Sequence, residues 1–382
     1  MQALAEKLGK KHRVYVLSPD LSPKPTRRVL VGKFPFPKKV APGQTLSPLW
    51  FNNPVFWLYA AFYLARAVRK HQIDLIHVHG KYILPAGVLA GKLTRTPVAA
   101  TVRDFKFLCP LAVCFTQGKP SCHFSTYLTQ EIPEYLVRYQ PNRLTWPFLA
   151  PWLVVAKLQQ LVLKQFLLAA DQVIAVSPEL QKIYRLSGVK KVTTIYNLPP
   201  EALAKGGKQG KLARGKKTIL SVGKLSYGKG SDTLIQAAGR LPEYRFILAG
   251  AKNISLKSKF PPNVTYLGQL PHAKVVKLYS KASLFIILSR WPEPLSRAGL
   301  EALSAGLPII ASNRGANPRL VKDNGLVVNP DDPYQVAAAI KKVVSRQNLK
   351  LLGQNSLKLL KRRFNRQKIV AAHLKLYNQL SR

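Results

Sequence analysis

The 382-residue sequence predicts an α/β architecture, with two domains each built on a parallel sheet covered by helices on both faces. Three observations carry this expectation. Through the second half, short apolar runs alternate with helical periods, the pattern of successive strand–helix units in one sheet. The run Leu284–Leu288 is apolar without interruption and β-branched at Ile286 and Ile287, which suits a strand buried on both faces. Finally, 382 residues of which 47% are apolar suffice for two cores of ordinary size and exclude a disordered chain.

In chain order, Met1 to Gly9 reads as the end of a helix closed by Gly9, followed by a strand at Val14–Leu17. Residues 22–54 are rich in proline and basic residues around a short strand at 29–31. Val55–Val68 is a helix dense in aromatics (Phe56, Trp57, Tyr59, Phe62, Tyr63), most of them expected in the core. Two strands follow: Ile73–Val78, leading into His79, and Pro97–Val102, leading into Arg103 and Asp104. Their ends are expected to face a cleft. Gln172–Val176 and Val192–Tyr196 complete a first domain spanning 1–197. The stretch Arg143–Ala170 holds Trp146, Phe148 and Trp152, with Lys157 and Lys164 interrupting its apolar run. It reads either as an amphipathic helix on a bilayer surface or as a core helix.

Residues 198–217, rich in Pro, Gly and Lys, form a linker. The second domain, 218–360, alternates strands at Thr218–Val222, Arg245–Ala249, Val264–Leu267, Leu284–Leu288, Pro308–Ala311 and Leu326–Val328 with helices from about Ser231 to Arg240 and over 272–281. Asp332 and Pro333 open a further helix. Residues 361–382 form the last one.

The chemistry is expected around Leu284–Ala305. A loop at the carboxyl end of a parallel strand, followed by a helix start, is where open α/β sheets bind ligands. Ser296 is a good N-cap, and free N–H groups with the helix dipole favour phosphate there. Glu293 lies in the loop and Glu301 on the helix behind it. Gly223 ends the first strand of this domain, so backbone can approach a ligand closely. Lys224 and Lys229 flank the following turn.

Six motifs occur in order: A-D-Q-V-I-A-V-S at 170–177, V-G-K-L-x-x-x-K-G at 222–230, F-I-L-A-G at 246–250, V-T-Y-L-G at 264–268, the Glu293/Glu301 pair, and A-G-L-P-I-I-A-S at 305–312. Together with I-Y-N at 195–197 they resemble the nucleotide-sugar glycosyltransferases of family 4. The resemblance implies the GT-B fold: two Rossmann-like domains facing each other across a cleft, with the last helix crossing back to the first. It implies a retaining, metal-independent transfer of a sugar from a nucleotide diphosphate to an acceptor hydroxyl, with no cofactor.

By the same resemblance, Glu293 contacts the donor sugar, and Glu301 accepts from the ribose hydroxyls. Lys224 and Lys229 neutralise the diphosphate, and Leu295, Ser296 and Arg297 offer N–H groups to it. Gly250 and Lys252 lie near the nucleobase. Lys224 stands where Arg is usual, Ser296 where Gly is common and Arg319 where Glu is frequent. Arg103 replaces the family's His before Asp104, and either serves by charge alone or leaves activity impaired. His79 and Asp104 fall on the acceptor side. The family's first strand and Gly-rich loop have no counterpart before residue 1, which predicts a gap in the first sheet and an earlier start of the reading frame. A catalytically degenerate, basic membrane- or nucleic-acid-associated protein of the same fold is the alternative. An enzyme of this fold performing phosphorolysis would carry a pyridoxal-phosphate lysine, and no such motif is present.

Sixty Lys and Arg stand against 16 Asp and Glu. This imbalance predicts attraction to an anionic membrane face, or else a solubility trait, because the cations are scattered rather than gathered in one arm. No motif of a nucleic-acid module is present. A lipid-linked or envelope glycan acceptor fits the membrane reading. Three cysteines cannot all pair, so a reducing cytoplasm is the simpler compartment, with the protein peripheral on the inner membrane face. No signal peptide is visible, and no uninterrupted apolar run reaches the length of a bilayer span. Cys109, Cys114, Cys122 and His123 have no standard metal spacing and are expected in a cleft-facing loop.

Overall fold

The computed structural model describes residues 2–18, 25–34, 52–111, 123–140, 142–200, 217–252, 260–344 and 346–381. Most of the expected linker lies outside these residues, as do Cys114 and Cys122.

The second half is a six-stranded sheet of β7 (Thr218–Val222), β8 (Arg245–Ala249), β9 (Val264–Tyr266), β10 (Leu284–Ile287), β11 (Ile309–Ser312) and β12 (Gly325–Val328). Its spatial order is β12-β11-β10-β7-β8-β9, and every pairing is parallel. From β7 the chain runs outward one way through β8 and β9. It then returns to β10 and runs outward the other way. Strand order therefore reverses between β7 and β10, and a crevice opens beyond their carboxyl ends. All four residues of β10 are buried, as its apolar sequence requires.

The first half contains a four-stranded parallel sheet, β3 (Ile76–His79), β4 (Val98–Val102), β5 (Gln172–Ala175) and β6 (Val192–Thr194), in that order. A separate parallel pair, β1 (Val14–Ser18) and β2 (Val29–Lys33), completes its described strands. Among the described residues no strand joins β1 to β3, and the two form separate sheets. Some boundaries differ from the sequence reading. Ile73 is not strand, because its N–H closes the preceding helix by donating to the Val68 carbonyl at 3.0 Å.

Helices α1 (Gln2–Leu8), α2 (Pro54–His71), α3 (Leu84–Thr94), α4 (Ile132–Tyr139), α5 (Trp146–Leu168) and α6 (Pro178–Leu186) belong to the first half. In the second lie α7 (Ser231–Gly239), α8 (His272–Tyr279), α9 (Arg297–Ser304) and α10 (Pro333–Val344). Two long helices follow, α11 (Arg346–Arg363) and α12 (Arg366–Leu380). Helix α12 returns to the first half, where Ile369 packs with Ala99, Ile174 and Ile195. Tyr377 Oη lies 2.5 Å from His77 Nδ1.

Helix α5, within Arg143–Ala170, has one buried and one exposed side. One stripe, including Leu153, Leu163 and Leu167, is core, while Phe148, Trp152, Val155 and Val162 are exposed. Lys157 corrects the expectation of a surface cation: it is only 1% exposed, on the buried stripe, with its ammonium 5.3 Å from the centre of the Tyr127 ring. The helical stretch Arg143–Leu168 is long and apolar enough to cross a membrane by length and composition, and 22% of its most apolar window is buried.

The two halves touch through side chains. Arg319 Nε donates to Glu179 Oε1 at 2.6 Å, which gives this unusual arginine a role in joining them. Arg138 stacks over Tyr227 at 4.2 Å, and Tyr139 accepts a hydrogen bond from the Gly228 backbone.

Candidate active site

A cavity of about 220 Å³ lies at the carboxyl ends of β7 and β10, where the strand order reverses. Gly223, Lys224, Lys229, Glu293, Ser296 and Arg297 all line it. Six of the predicted site residues are thus brought together. Gly250 supports the cavity from behind: a side chain there would lie 1.9 Å from the Gly223 carbonyl oxygen, so only glycine allows the two strand ends to meet. Leu295 is buried in the core. Lys252 does not line the cavity, because its ammonium lies over the Phe260 ring at 5.3 Å and its side chain is exposed.

Three cations and one carboxylate line the cavity. Lys229 Nζ donates to Glu293 Oε2 at 2.6 Å, and the same oxygen accepts from Ser289 Oγ and Trp291 Nε1, each at 2.8 Å. Burial alone would push the Glu293 carboxyl up, but Lys229, Trp291 and Ser289 outweigh it and hold the group below the usual carboxylate range. Glu293 is therefore ionised at neutral pH.

The turn carrying Lys229 is fixed by Arg290. Its guanidinium donates to both carboxylate oxygens of Asp232 at 2.6 and 2.9 Å, to Asp331 at 2.6 Å and to the Tyr227 carbonyl at 2.6 Å. Gly230 then takes φ 63, with the Leu288 carbonyl oxygen where a Cβ would fall at 2.2 Å. Sequence reading missed Ser289, Arg290, Trp291 and Asp232. The first three immediately precede Glu293 in the same loop, which is the signal that could have found them.

Helix α9 begins at the cavity. Ser296 caps it by accepting from the Gly299 N–H at 3.1 Å, as its sequence predicts. Glu301 is 4% exposed and stands one turn behind Arg297, outside the cavity lining. Its Oε1 lies 2.9 Å from His272 Nε2 and 3.3 Å from Arg297 Nε, and its Oε2 accepts from Tyr279 Oη at 3.0 Å. Burial, then Glu301 itself, raises the Tyr279 phenol well above its ordinary value, so it remains a donor. Neither His272 nor Tyr279 was singled out from sequence, since helix α8 reads simply as a connector.

The first half contributes Arg103, Asp104 and His79 from the ends of β4 and β3. Arg103 lies 3.1 Å from His79 Nδ1 and is open to solvent on one side. Burial first, then the charge of Arg297 in the other half, lowers its pKa. Asp104 accepts from the Lys106 N–H at 2.9 Å, forming a local turn. The His77 and His79 rings lie tilted at 40° with their centres 4.0 Å apart. Burial first, then His373 and Arg103, lowers His77 to about 3. Burial, then His77 and Arg103, holds His79 well below its ordinary value.

Cys109 corrects the expectation of a cleft-facing thiol: it is fully buried and donates to Glu131 Oε2 at 2.8 Å. Among the described residues no group of three or more His, Cys, Asp or Glu is arranged to hold a metal.

Comparison with known proteins bears on this arrangement. The model of "Glycosyltransferase Family 4" matches residues 1–198, and that of "Glycosyl transferases group 1" matches 207–357. Spore coat protein SA of Bacillus subtilis is 30% identical over 186 residues, 43% of this chain and 49% of that protein. Lipopolysaccharide core biosynthesis glycosyltransferase LpsE of Rhizobium meliloti is 27% identical over 165 residues, 41% and 48% of the two chains. The chain thus spans about half the length of these curated relatives. Two solved structures share the fold. Sucrose-phosphate synthase from Thermosynechococcus elongatus has a TM-score of 0.68 at 20% identity, covering 99% of this chain and 92% of that one. Anabaena HepE in complex with UDP and glucose has 0.61 at 20%, covering 92% and 87%. Two Rossmann-like halves face each other across a cleft, and family models match almost the whole chain, so the protein belongs to glycosyltransferase family 4 and has the GT-B fold.

Proposed function

We propose that the protein moves a sugar from a nucleotide diphosphate sugar to an acceptor hydroxyl, with retention at the anomeric carbon. The observation that supports this reading is the charge of the cavity at the β7/β10 reversal. Lys224, Lys229 and Arg297 line it with Glu293, Glu301 reaches Arg297 from behind at 3.3 Å, and helix α9 begins at the same space. Such a site is built for a dianionic or trianionic group. When the sugar–phosphate bond breaks, its electron pair stays with the diphosphate, and fixed cations stabilise the charge that develops there. These cations supply the charge that a metal would otherwise supply, which is the basis for proposing a metal-independent transfer.

Glu293, ionised and tied to Lys229, is placed to accept from hydroxyls of the donor sugar. Glu301 is the proposed ribose acceptor, and it would exchange its bonds to His272 or Arg297 for bonds to the two ribose hydroxyls. Arg103 interacts with Arg297 across the halves, and Arg103, Asp104 and His79 are proposed to hold the acceptor side. One matched relative is named for lipopolysaccharide core biosynthesis, which favours an envelope or lipid-linked glycan as acceptor and a place of action on the cytoplasmic membrane face.

The test is release of nucleoside diphosphate from a panel of nucleotide sugars, followed by mass spectrometry, with the anomeric configuration of the product read by NMR. The expected result is turnover of one donor class, lost in Glu293→Gln. If no donor is hydrolysed or bound, the reading falls, and the protein is better described as a degenerate member of its fold.

A further inference from the structure

The first half exposes large apolar side chains on two helices, none of which lines the cavity. On α2, Val55 is 79% exposed and Phe62 71%, with Leu58 and Tyr59 between them. These positions recur at helical spacing on one face, and the same face continues into exposed Arg66 and Arg69. On α5, Phe148 is 78% and Trp152 56% exposed, and Val155 and Val162 extend the row. The two helices are neighbours: Trp57 meets Phe166 edge-on at 5.6 Å, and Asn52 donates to Gln159 at 2.7 Å. Leu144, 82% exposed, precedes α5 beside exposed Arg143. A soluble monomer rarely leaves so many large apolar side chains together in water.

Charge identifies what covers them. Neither α2 nor α5 contains a single carboxylate. Cations sit at the edges of the surface, Arg66, Arg69 and Lys70 at one end and Arg143 at the other. A second copy of this chain would bring a like net charge of +44 and the same basic rim against it, which opposes self-association. An anionic bilayer presents the opposite charge and accepts aromatic side chains at its headgroup level.

We propose that the α2/α5 face docks on an anionic lipid bilayer, with Phe62, Phe148 and Trp152 seated at the headgroup–acyl boundary and the surrounding arginines among the headgroups. This deepens the proposed function, since it brings the cleft to a lipid-linked acceptor, and it rests on that reading for its consequence. The face itself is tested without donor or acceptor. The buried Lys157 contributes nothing to this surface, which draws on two helices rather than the one expected from sequence.

The experiment is co-sedimentation of the full chain with phosphatidylcholine vesicles, with and without phosphatidylglycerol, across a salt series. Binding is expected only with the anionic lipid at first, weakened by salt and not abolished by it. The double variant Phe62→Ser/Trp152→Ser should lower the partition coefficient by about tenfold or more. Val327→Ser, an exposed apolar position in the second half, should leave it unchanged. Brominated acyl chains should quench tryptophan emission in bound protein, and Trp152→Phe should keep binding while losing most of the quenching.

A wild-type protein that stays in the supernatant with anionic vesicles at low salt overturns the proposal. So does a double variant that binds as well as the wild type, or one that turns a dimer into a monomer on size exclusion. Donor hydrolysis on the same preparations separates the two readings. Vesicle binding without turnover upholds the surface against the transferase reading, and turnover without vesicle binding does the reverse.

Discussion

The two halves of the molecule solve their electrostatics in opposite ways. In the second half the sheet is unbroken, and buried charge is matched at short range: Lys229 with Glu293, Arg290 with Asp232 and Asp331. In the first half the sheet lies in two pieces. This half holds a cluster of imidazoles that burial keeps neutral, with His77, His79 and His373 all shifted downward. Its helices leave apolar side chains in water. The difference separates a half preorganised for one charged ligand from a half that meets several surfaces, the other half and, as we propose, an acceptor and a bilayer.

The sharpest way to break this contrast is to remove the matched charge. Glu293→Ala leaves Lys229 three-quarters buried without its carboxylate. Donor turnover should fall by about 100-fold or more, the scale for losing a preorganised polar group at a reacting centre. Urea unfolding should show a loss of about 2–3 kcal/mol, toward the low end for breaking a buried pair. Unchanged turnover with unchanged stability would mean that the pair is ornamental.

Acid should separate the halves next. His77 titrates near 6.5 when unfolded and at about 3 when folded, so below pH 6.5 the unfolded chain holds the extra proton. Stability contributed by neutral His77 is therefore present above that pH and lost progressively as pH falls toward 3. At pH 5 the loss is about 2 kcal/mol from this residue alone. Hydrogen exchange at pH 5 should show β3 and α12 opening while β7 and β10 stay protected. Uniform opening of both sheets would contradict the contrast.

Arg103 tests whether the first half contributes to the reaction by charge. Arg103→Ala should lower donor turnover by about tenfold, the scale of one hydrogen bond to a charged group, and Arg103→Lys should restore most of it. If Lys behaves like Ala, the fixed fork against His79 matters instead. The smallest effect is expected at the contact between halves, where Tyr139→Phe removes the hydroxyl that meets Gly228. It should weaken stability by about 1 kcal/mol and leave nucleotide affinity within error.

The second half was legible in sequence almost strand by strand, because buried parallel strands are short apolar runs and their ends are marked by Gly223, Gly250 and Ser296. The cavity residues were legible for the same reason: they sit at those ends. Residues that act through tertiary contact were not. His272 and Tyr279 reach Glu301 from a helix that carries no motif, and Arg290 gathers Asp232 and Asp331 from 58 and 41 positions away. Burial of Lys157 was hidden because a lysine in an apolar helix reads as a break, whereas here it falls on the stripe that faces the core. Lys252, a strand-end residue, leans on Phe260, a contact that the sequence does not show.

Calorimetric titration of nucleoside diphosphates into the wild type and Glu301→Gln tests the central claim, that the β7/β10 crevice holds the donor nucleotide. The account predicts one site per chain in the wild type and affinity weaker by about 1–3 kcal/mol in the variant, the range for losing a charged hydrogen-bond acceptor. Equal affinity in both proteins, or no binding to either, would contradict it.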